Sequence, residues 1–260
     1  IAKGDLGEIR YISARRLNLG LFQKDINVAW DLAPHDISII QHIIGEQPAT
    51  VNCRGSAHIT PGVEDVTTMC LSYHGKRTAI IHSSWLDPRK VREMTIVGSK
   101  RMIVYDDVAP LEKIRVFDSR VERPPHYDTF AEFHYAYHYG DVYAPYIKQE
   151  EPLKTECQHF LDCVTHGTTP LTDGKQGLEL VRILEASSES LKQGGAPIEF
   201  AKHQANHHAN GNGFASSSLA GIAPRTSVPE ISTSRLKGKK HSSPAARKLK
   251  TEIGMNGHKS

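Results

Sequence analysis

Cysteine is scarce in this sequence: the 260 residues hold four, Cys53, Cys70, Cys157 and Cys163, with no C-x-x-C pair. Thiols so scattered build neither a dense disulfide framework nor a structural zinc site, and they read as reduced, mostly buried side chains of a cytosolic protein. Long apolar runs are also missing, since nothing approaches the roughly 20 consecutive apolar residues that a membrane span requires. No signal-peptide pattern is present, and the first residue is Ile1 rather than methionine, which predicts a further segment upstream. A Gly-rich phosphate loop is lacking too. The one G-x-G, Gly211-Asn212-Gly213, has no predicted strand before it and no predicted helix after it, so it fails the structural test for a dinucleotide loop.

What remains is an ordinary soluble composition, 38% hydrophobic and 23% charged, with a mean hydropathy of -0.42. The net charge of +3 conceals an asymmetry: residues 201–260 carry 10 Lys/Arg against 2 acids, Glu230 and Glu252, a net of +8. Residues 1–200 then hold 22 basic and 27 acidic side chains, a net of −5. The basic character belongs to the tail and is no signal of specific nucleic-acid binding by the main domain. Two regions follow: a folded domain over residues 1–200, and a Ser/Gly/Asn/His/Lys-rich tail over 201–260. The tail has too little apolar surface to offset its ordering entropy and is expected to be disordered.

Within 1–200 the hydrophobic period changes several times. Residues 7–16 alternate as a strand. A helix is predicted from Pro34, where a proline suits the first turn, with Ile37, Ile40 and Ile44 at helical spacing and Gly45 as the stop. Period-two segments follow at 50–58, 65–73, 77–86, 91–97, 101–105 and 113–117, separated by short Gly/Pro turns that favour antiparallel neighbours. Helices are predicted at 152–165 (Leu153, Cys157, Phe160, Leu161 and Val164 on one face) and at 175–193 after Asp173, with an edge strand at 197–200. The pattern is α+β: an open, mostly antiparallel sheet with helices packed on one face. Such a sheet commonly pairs its bare face with another copy, so a homo-oligomer is expected; a monodisperse monomer in light scattering would contradict this.

The stretch Asn27-Val28-Ala29-Trp30-Asp31-Leu32-Ala33-Pro34-His35 sets a carboxylate and an imidazole four residues apart near a helix start. If the turn begins by Asp31, the two share a face and can hydrogen-bond, which gives the imidazole a fixed tautomer for proton transfer. The plainer alternative has Asp31 as an N-cap and His35 as a surface or core histidine.

This stretch resembles the D-x-x-x-H signature of the glucose–fructose oxidoreductase / inositol dehydrogenase / rhizopine-catabolism (Gfo/Idh/MocA) family. Further parts of the resemblance are Gly4-Asp5-Leu6-Gly7-Glu8-Ile9, the Gly45 stop, Trp85-Leu86-Asp87-Pro88, Thr95-Ile96-Val97-Gly98-Ser99-Lys100 and Glu151-Pro152-Leu153. It implies the substrate-binding C-terminal domain of a two-domain NAD(P)-dependent enzyme whose N-terminal Rossmann domain is not in this sequence. The implied reaction is reversible oxidation of a secondary alcohol on a sugar, cyclitol or nucleotide-sugar, with His35 as acid/base and Asp31 orienting it or helping bind the sugar. NAD or NADP would be bound mainly by the other domain, and this chain alone is expected to be inactive. The family's Gly-rich loop and its Glu-Lys-Pro motif have no counterpart here.

Arg16 and Asn18, at the end of the first strand, and Trp30 are the candidate substrate-binding residues, a guanidinium fork suiting anions; a solvated strand end is the alternative for Arg16 and Asn18. The aromatic stretch from His126-Tyr127 through His134, Tyr135, Tyr137, His138 and Tyr139 to Tyr146 reads as an edge strand or subunit contact. No acid completes an H-E-x-x-H zinc helix there, and no metal is expected. Arg89, Lys90 and Arg92 read as a charged hairpin rim. A non-catalytic carbohydrate-binding or oligomerisation module is the competing function, and a metal-dependent isomerase or hydrolase a third.

Overall fold

The computed structural model describes residues 1–122 and 136–200. The tail and the aromatic residues from His126 to Tyr135 lie outside them. In chain order the elements are β1 (Ile9–Leu19), α1 (Val28–Ile44), β2 (Thr50–Ser56), β3 (Val66–Ser72), β4 (Thr78–Ser84), β5 (Leu86–Gly98), β6 (Met102–Asp106), β7 (Ile114–Glu122), β8 (Ala136–Tyr143), α2 (Pro152–His166), α3 (Gly174–Lys192) and β9 (Ile198–Glu199). The strands form one open sheet in the order β8-β7-β6-β5-β1-β4-β3-β2-β9. Every pairing is antiparallel except β1 with β4. Parallel neighbours need a long crossover, and α1 together with the β2–β3 pair supplies it.

Alternation along the strands divides the two faces. Ile12 and Ala14 of β1, Met69 and Leu71 of β3, Ala79 and Ile81 of β4, and Met94 and Ile96 of β5 are buried toward α1 and α3. From the helices come Ala29, Ala33, Ile37 and Ile40, then Ile183 and Leu184. Ser190 pins α3 to β2: its hydroxyl accepts the Cys53 N–H at 2.9 Å and donates to the Ala196 carbonyl at 2.6 Å. On the opposite face Tyr11 and Ile80 are exposed. The β3–β4 connection is a tight turn with positive φ at Gly75 (71°) and Lys76 (64°), the geometry that two successive left-handed residues give a hairpin.

Three boundaries differ from the sequence expectation. Helix α1 starts at Val28, six residues before Pro34, because Asn27 caps it: its side-chain oxygen accepts the Trp30 N–H at 3.2 Å. Pro34 sits inside the helix, where it forgoes one backbone bond; the buried face of Ala29, Ala33, Ile37 and Ile40 outweighs that loss. Strand β1 runs on to Leu19 instead of stopping at Arg16. Asp87-Pro88 makes no turn and lies within β5. There Leu19 pairs Leu86 and Leu17 pairs Val91, so residues 87–90 bulge opposite Asn18 alone, and Pro88 owes the ladder no N–H.

Helix α2 forms where expected, with Glu151 capping it and Gly167 ending it in the left-handed region. Its apolar face does not pack on the sheet: Leu153, Phe160, Leu161 and Val164 are exposed, and Cys163 is the buried residue. No described helix is long and apolar enough to cross a membrane.

Candidate active site

Asp31 and His35 lie one turn apart on the same side of α1, as their spacing requires. The hydrogen bond that the spacing allows between them is not made among the described residues. Asp31 turns instead to Trp85, whose indole N–H donates to Oδ2 at 2.8 Å. Trp85 is 1% exposed and bridges β4 to β5 across the end of β1. Its backbone N–H donates to Asp65 O at 2.9 Å, and its carbonyl accepts the Gly20 N–H at 3.0 Å. A Cβ on Gly20 would lie 2.6 Å from the indole Cδ1, so this close approach requires glycine.

His35 itself is exposed, and its imidazole makes no hydrogen bond among the described residues. Partial burial pushes its pKa below the ordinary histidine value. The Arg16 and Arg92 guanidiniums push the same way, while Asp36 and, most weakly, Asp31 oppose them. The imidazole is therefore neutral at pH 7, the form that can accept a proton.

Arg16 is not a free anion hook. Its Nε and one terminal nitrogen each donate at 3.0 Å to the two oxygens of Asp36, a fork that ties β1 to α1. Arg92, expected on a hairpin rim, lies on β5 directly across from Arg16. It meets Asp107 at 3.5 Å, and Asp107 also accepts the Tyr105 hydroxyl at 2.9 Å. Burial, then that bond, push the Tyr105 phenol up to about 12, so it stays protonated. Trp85, Asp36, Arg92 and Tyr105 were missed or discounted as site residues in the sequence. The signal for Arg92 was cross-strand register with Arg16, and Trp85 stood only within the Trp85-Leu86-Asp87-Pro88 stretch of the resemblance; no local pattern marks Asp36 or Tyr105.

Trp30 donates its indole N–H to Ser188 Oγ at 2.8 Å, joining α1 to α3. It also borders a cavity of about 360 Å³, lined by Asp25 and Asn27 from the α1 entry and by Gly62 and Glu64 from the loop before β3. That cavity does not include His35 or Asp31. The Asn18 side chain makes no hydrogen bond among the described residues and stands opposite the β5 bulge. His138 contacts Asp118 at 3.2 Å; its spacing partner His134 is outside the described residues.

The loop before β3 is organised by Asp65, which is 1% exposed. Its carboxylate accepts the backbone N–H groups of His58 at 2.7 Å and Ile59 at 2.9 Å, and contacts His58 Nδ1 at 2.7 Å. Burial alone would raise this carboxyl, but those three hydrogen bonds outweigh it and hold the pKa below the ordinary value of 3.8. A depressed acid contributes stability that is whole above its unfolded value and fades as pH falls through its folded one. Asp65→Asn is expected to cost about 1–3 kcal/mol at pH 7. The difference from the parent should shrink steadily below about pH 4, as read by urea denaturation across pH; a gap independent of pH would contradict the assignment.

The described residues do not fit a nicotinamide dinucleotide. Each helix N-terminus is closed by a side chain: Asn27 on α1, Glu151 on α2 and Asp173 on α3. Asn27 is itself bonded to the Glu64 carboxylate at 2.8 Å. Amides already capped, with acids beside them, offer a pyrophosphate no seat. The β1–α1 connection has one glycine, Gly20, and Trp85 occupies the space beside it.

Residues 1–104 match the model of the GFO/IDH/MocA C-terminal domain, a segment that holds Arg16, Asp31, His35, Trp85 and Arg92. No curated protein matches the chain by sequence. Among solved structures it is similar to the UDP-N-acetylglucosamine 3-dehydrogenase GnnA from Acidithiobacillus ferrooxidans, with 20% identity, a TM-score of 0.55, and coverage of 74% of this chain and 57% of that one. The aldose-aldose oxidoreductase from Caulobacter crescentus, complexed with glycerol, gives 17% identity, a TM-score of 0.57, and coverage of 76% and 57%. The WlbA dehydrogenase from Bordetella pertussis, in complex with NADH and UDP-GlcNAcA, gives 16%, 0.54, and 76% and 56%. At these identities the likeness is one of fold, and this chain spans less than two thirds of each relative's length. Residues 1–104 are thus similar in sequence to the Gfo/Idh/MocA C-terminal domain, and the open sheet is similar in fold to that of these oxidoreductases.

Proposed function

We propose that this chain forms the substrate and proton-transfer half of an NAD(P)-dependent oxidoreductase acting on a secondary alcohol of a sugar, cyclitol or nucleotide-sugar. The observation that carries this reading is His35: a neutral imidazole, unpaired, beside a carboxylate that is fixed from elsewhere. His35 takes the hydroxyl proton as the carbinol is oxidised and returns it in the reverse direction. Asp31 offers its second oxygen to a neighbouring hydroxyl. In this reading Asn18 and the terminal nitrogens of Arg92 bind the rest of the sugar, and Trp30 borders a separate cavity. Arg16 contributes by holding Asp36 and by its charge.

The nicotinamide, NAD or NADP, is held outside the described residues in this reading. Fluorescence titration of the chain with NADH or NADPH is expected to show no saturation at micromolar concentration, and micromolar binding would contradict it. The relatives in complexes with NADH and UDP-GlcNAcA, and with glycerol, support polyhydroxylated substrates. Self-association through the face that bears Tyr11 and Ile80 belongs to the same reading. The function is tested by assaying the complete protein for NAD(P)-dependent oxidation of sugars and UDP-sugars, with His35→Asn alongside. Turnover that survives that substitution unchanged would refute it.

A further inference from the structure

Asp31 and His35 have the spacing and the order, acid toward the helix N-terminus, in which such pairs ordinarily associate. Here they do not, and Trp85 is the reason. Its N–H is buried in a residue 1% exposed, and Asp31 Oδ2 at 2.8 Å is its acceptor. A buried indole N–H without an acceptor is costly, whereas an ion pair on a half-exposed helix surface is weak. The competition for the carboxylate therefore favours the indole.

The indole is fixed independently of Asp31. Asp65 O and the Gly20 N–H hold its backbone on both sides, the missing Gly20 side chain admits the ring, and Phe22 lies against it at 5.4 Å between centroids. The donor thus waits at a set point, and the acid comes to it. We propose that Trp85 is a positioning residue of the site: its indole N–H holds the Asp31 carboxylate off His35, leaving the imidazole unpaired and the second carboxylate oxygen for a substrate hydroxyl. The inference rests on the reading of His35 as proton carrier and deepens it. The charged groups that bear on His35 are Arg16 from β1, Arg92 from β5, and Asp31 and Asp36 from α1. Without the Trp85 donor, Asp31 is free to swing toward His35 and add a close anion to that set.

The two tryptophans make the contact readable in the full chain. Trp30 gives its N–H to Ser188 and Trp85 gives its own to Asp31, so ¹H–¹⁵N spectra carry two separately assigned indole signals. Asp31→Asn is expected to displace the Trp85 signal and leave the Trp30 signal in place. Trp85→Phe, which keeps the ring and removes the donor, is expected to raise the His35 titration midpoint by about one pH unit. In the active oxidoreductase the acid limb of the rate profile then moves up by the same amount, and KM rises because Asp31 no longer holds its second oxygen for the substrate hydroxyl. An unmoved His35 midpoint in folded Trp85→Phe overturns the proposal. Should that variant not fold, an unmoved Trp85 signal in Asp31→Asn overturns it alone. Inactivity of the wild-type protein toward every sugar tested is a different result: it fails the functional reading, while the spectra still decide the Trp85–Asp31 contact.

Discussion

Replacing His35 with Asn is expected to lower kcat/KM for alcohol oxidation by about 10²–10⁴, the usual contribution of a positioned acid–base group. That range corresponds to about 3–5 kcal/mol of transition-state stabilisation. The asparagine keeps the size and much of the polarity of the ring, so the loss isolates proton transfer. The pH profile supplies a second, independent reading. Burial and the two nearby guanidiniums lower the His35 pKa from its ordinary value of 6.5, so the base form is present from below neutrality upward. Oxidation by the parent is then level through neutral pH and declines as pH falls through that lowered midpoint. In His35→Asn the decline disappears along with most of the rate. A variant that retained the acid limb would move the titrating group elsewhere.

Breaking the Arg16–Asp36 fork is expected to produce the largest stability effect in the domain. Both side chains are nearly out of solvent, at 13% and 6% exposure. Truncating one member of a buried pair strands the other charge, which typically costs about 3–5 kcal/mol. Asp36→Ala is expected to fall in that range by urea denaturation, with an unchanged dependence on denaturant. Replacing both together, Arg16→Met with Asp36→Leu, is expected to recover most of the loss, because an apolar pair of similar volume needs no compensation. A single-variant cost below about 1 kcal/mol would place the pair in the class of screened surface bridges. Arg16 also carries a functional signature: removing its charge takes away one cause of the lowered His35 pKa, so the His35 midpoint should rise in Arg16→Met. A change in KM alone would instead favour a direct contact with substrate.

Much of the fold is legible along the chain. Strand periodicity at 66–72 and 78–84 is plain because these segments bury alternate residues on the helix-covered face of the sheet, which forces alternation. The cap of α3 could be read because Asp173 acts on its own neighbours. The start of α1 was misplaced because proline is a strong local signal and Asn27 a quieter one, while the packing of Ala29, Ala33 and Ile37 that decides between them is not local. Asp87-Pro88 misled for the same reason. It has turn chemistry, yet the β1 edge accommodates it as a bulge.

In the site the division is sharper. Sequence alone determined that an acid and an imidazole share one side of α1, because helical pitch makes residues four apart neighbours wherever the helix lies. It also determined the open, mostly antiparallel sheet, since short turns between alternating segments leave few other arrangements. Only the tertiary structure decided whom each charged group meets. Asp31 answers to a tryptophan 54 residues away, Arg16 to an aspartate 20 residues away, and Arg92 faces Arg16 through strand register. Those pairings depend on which strands lie side by side and on burial that rewards one donor over another. A one-dimensional pattern carries the period of a chain, and the choice among partners is made in three dimensions.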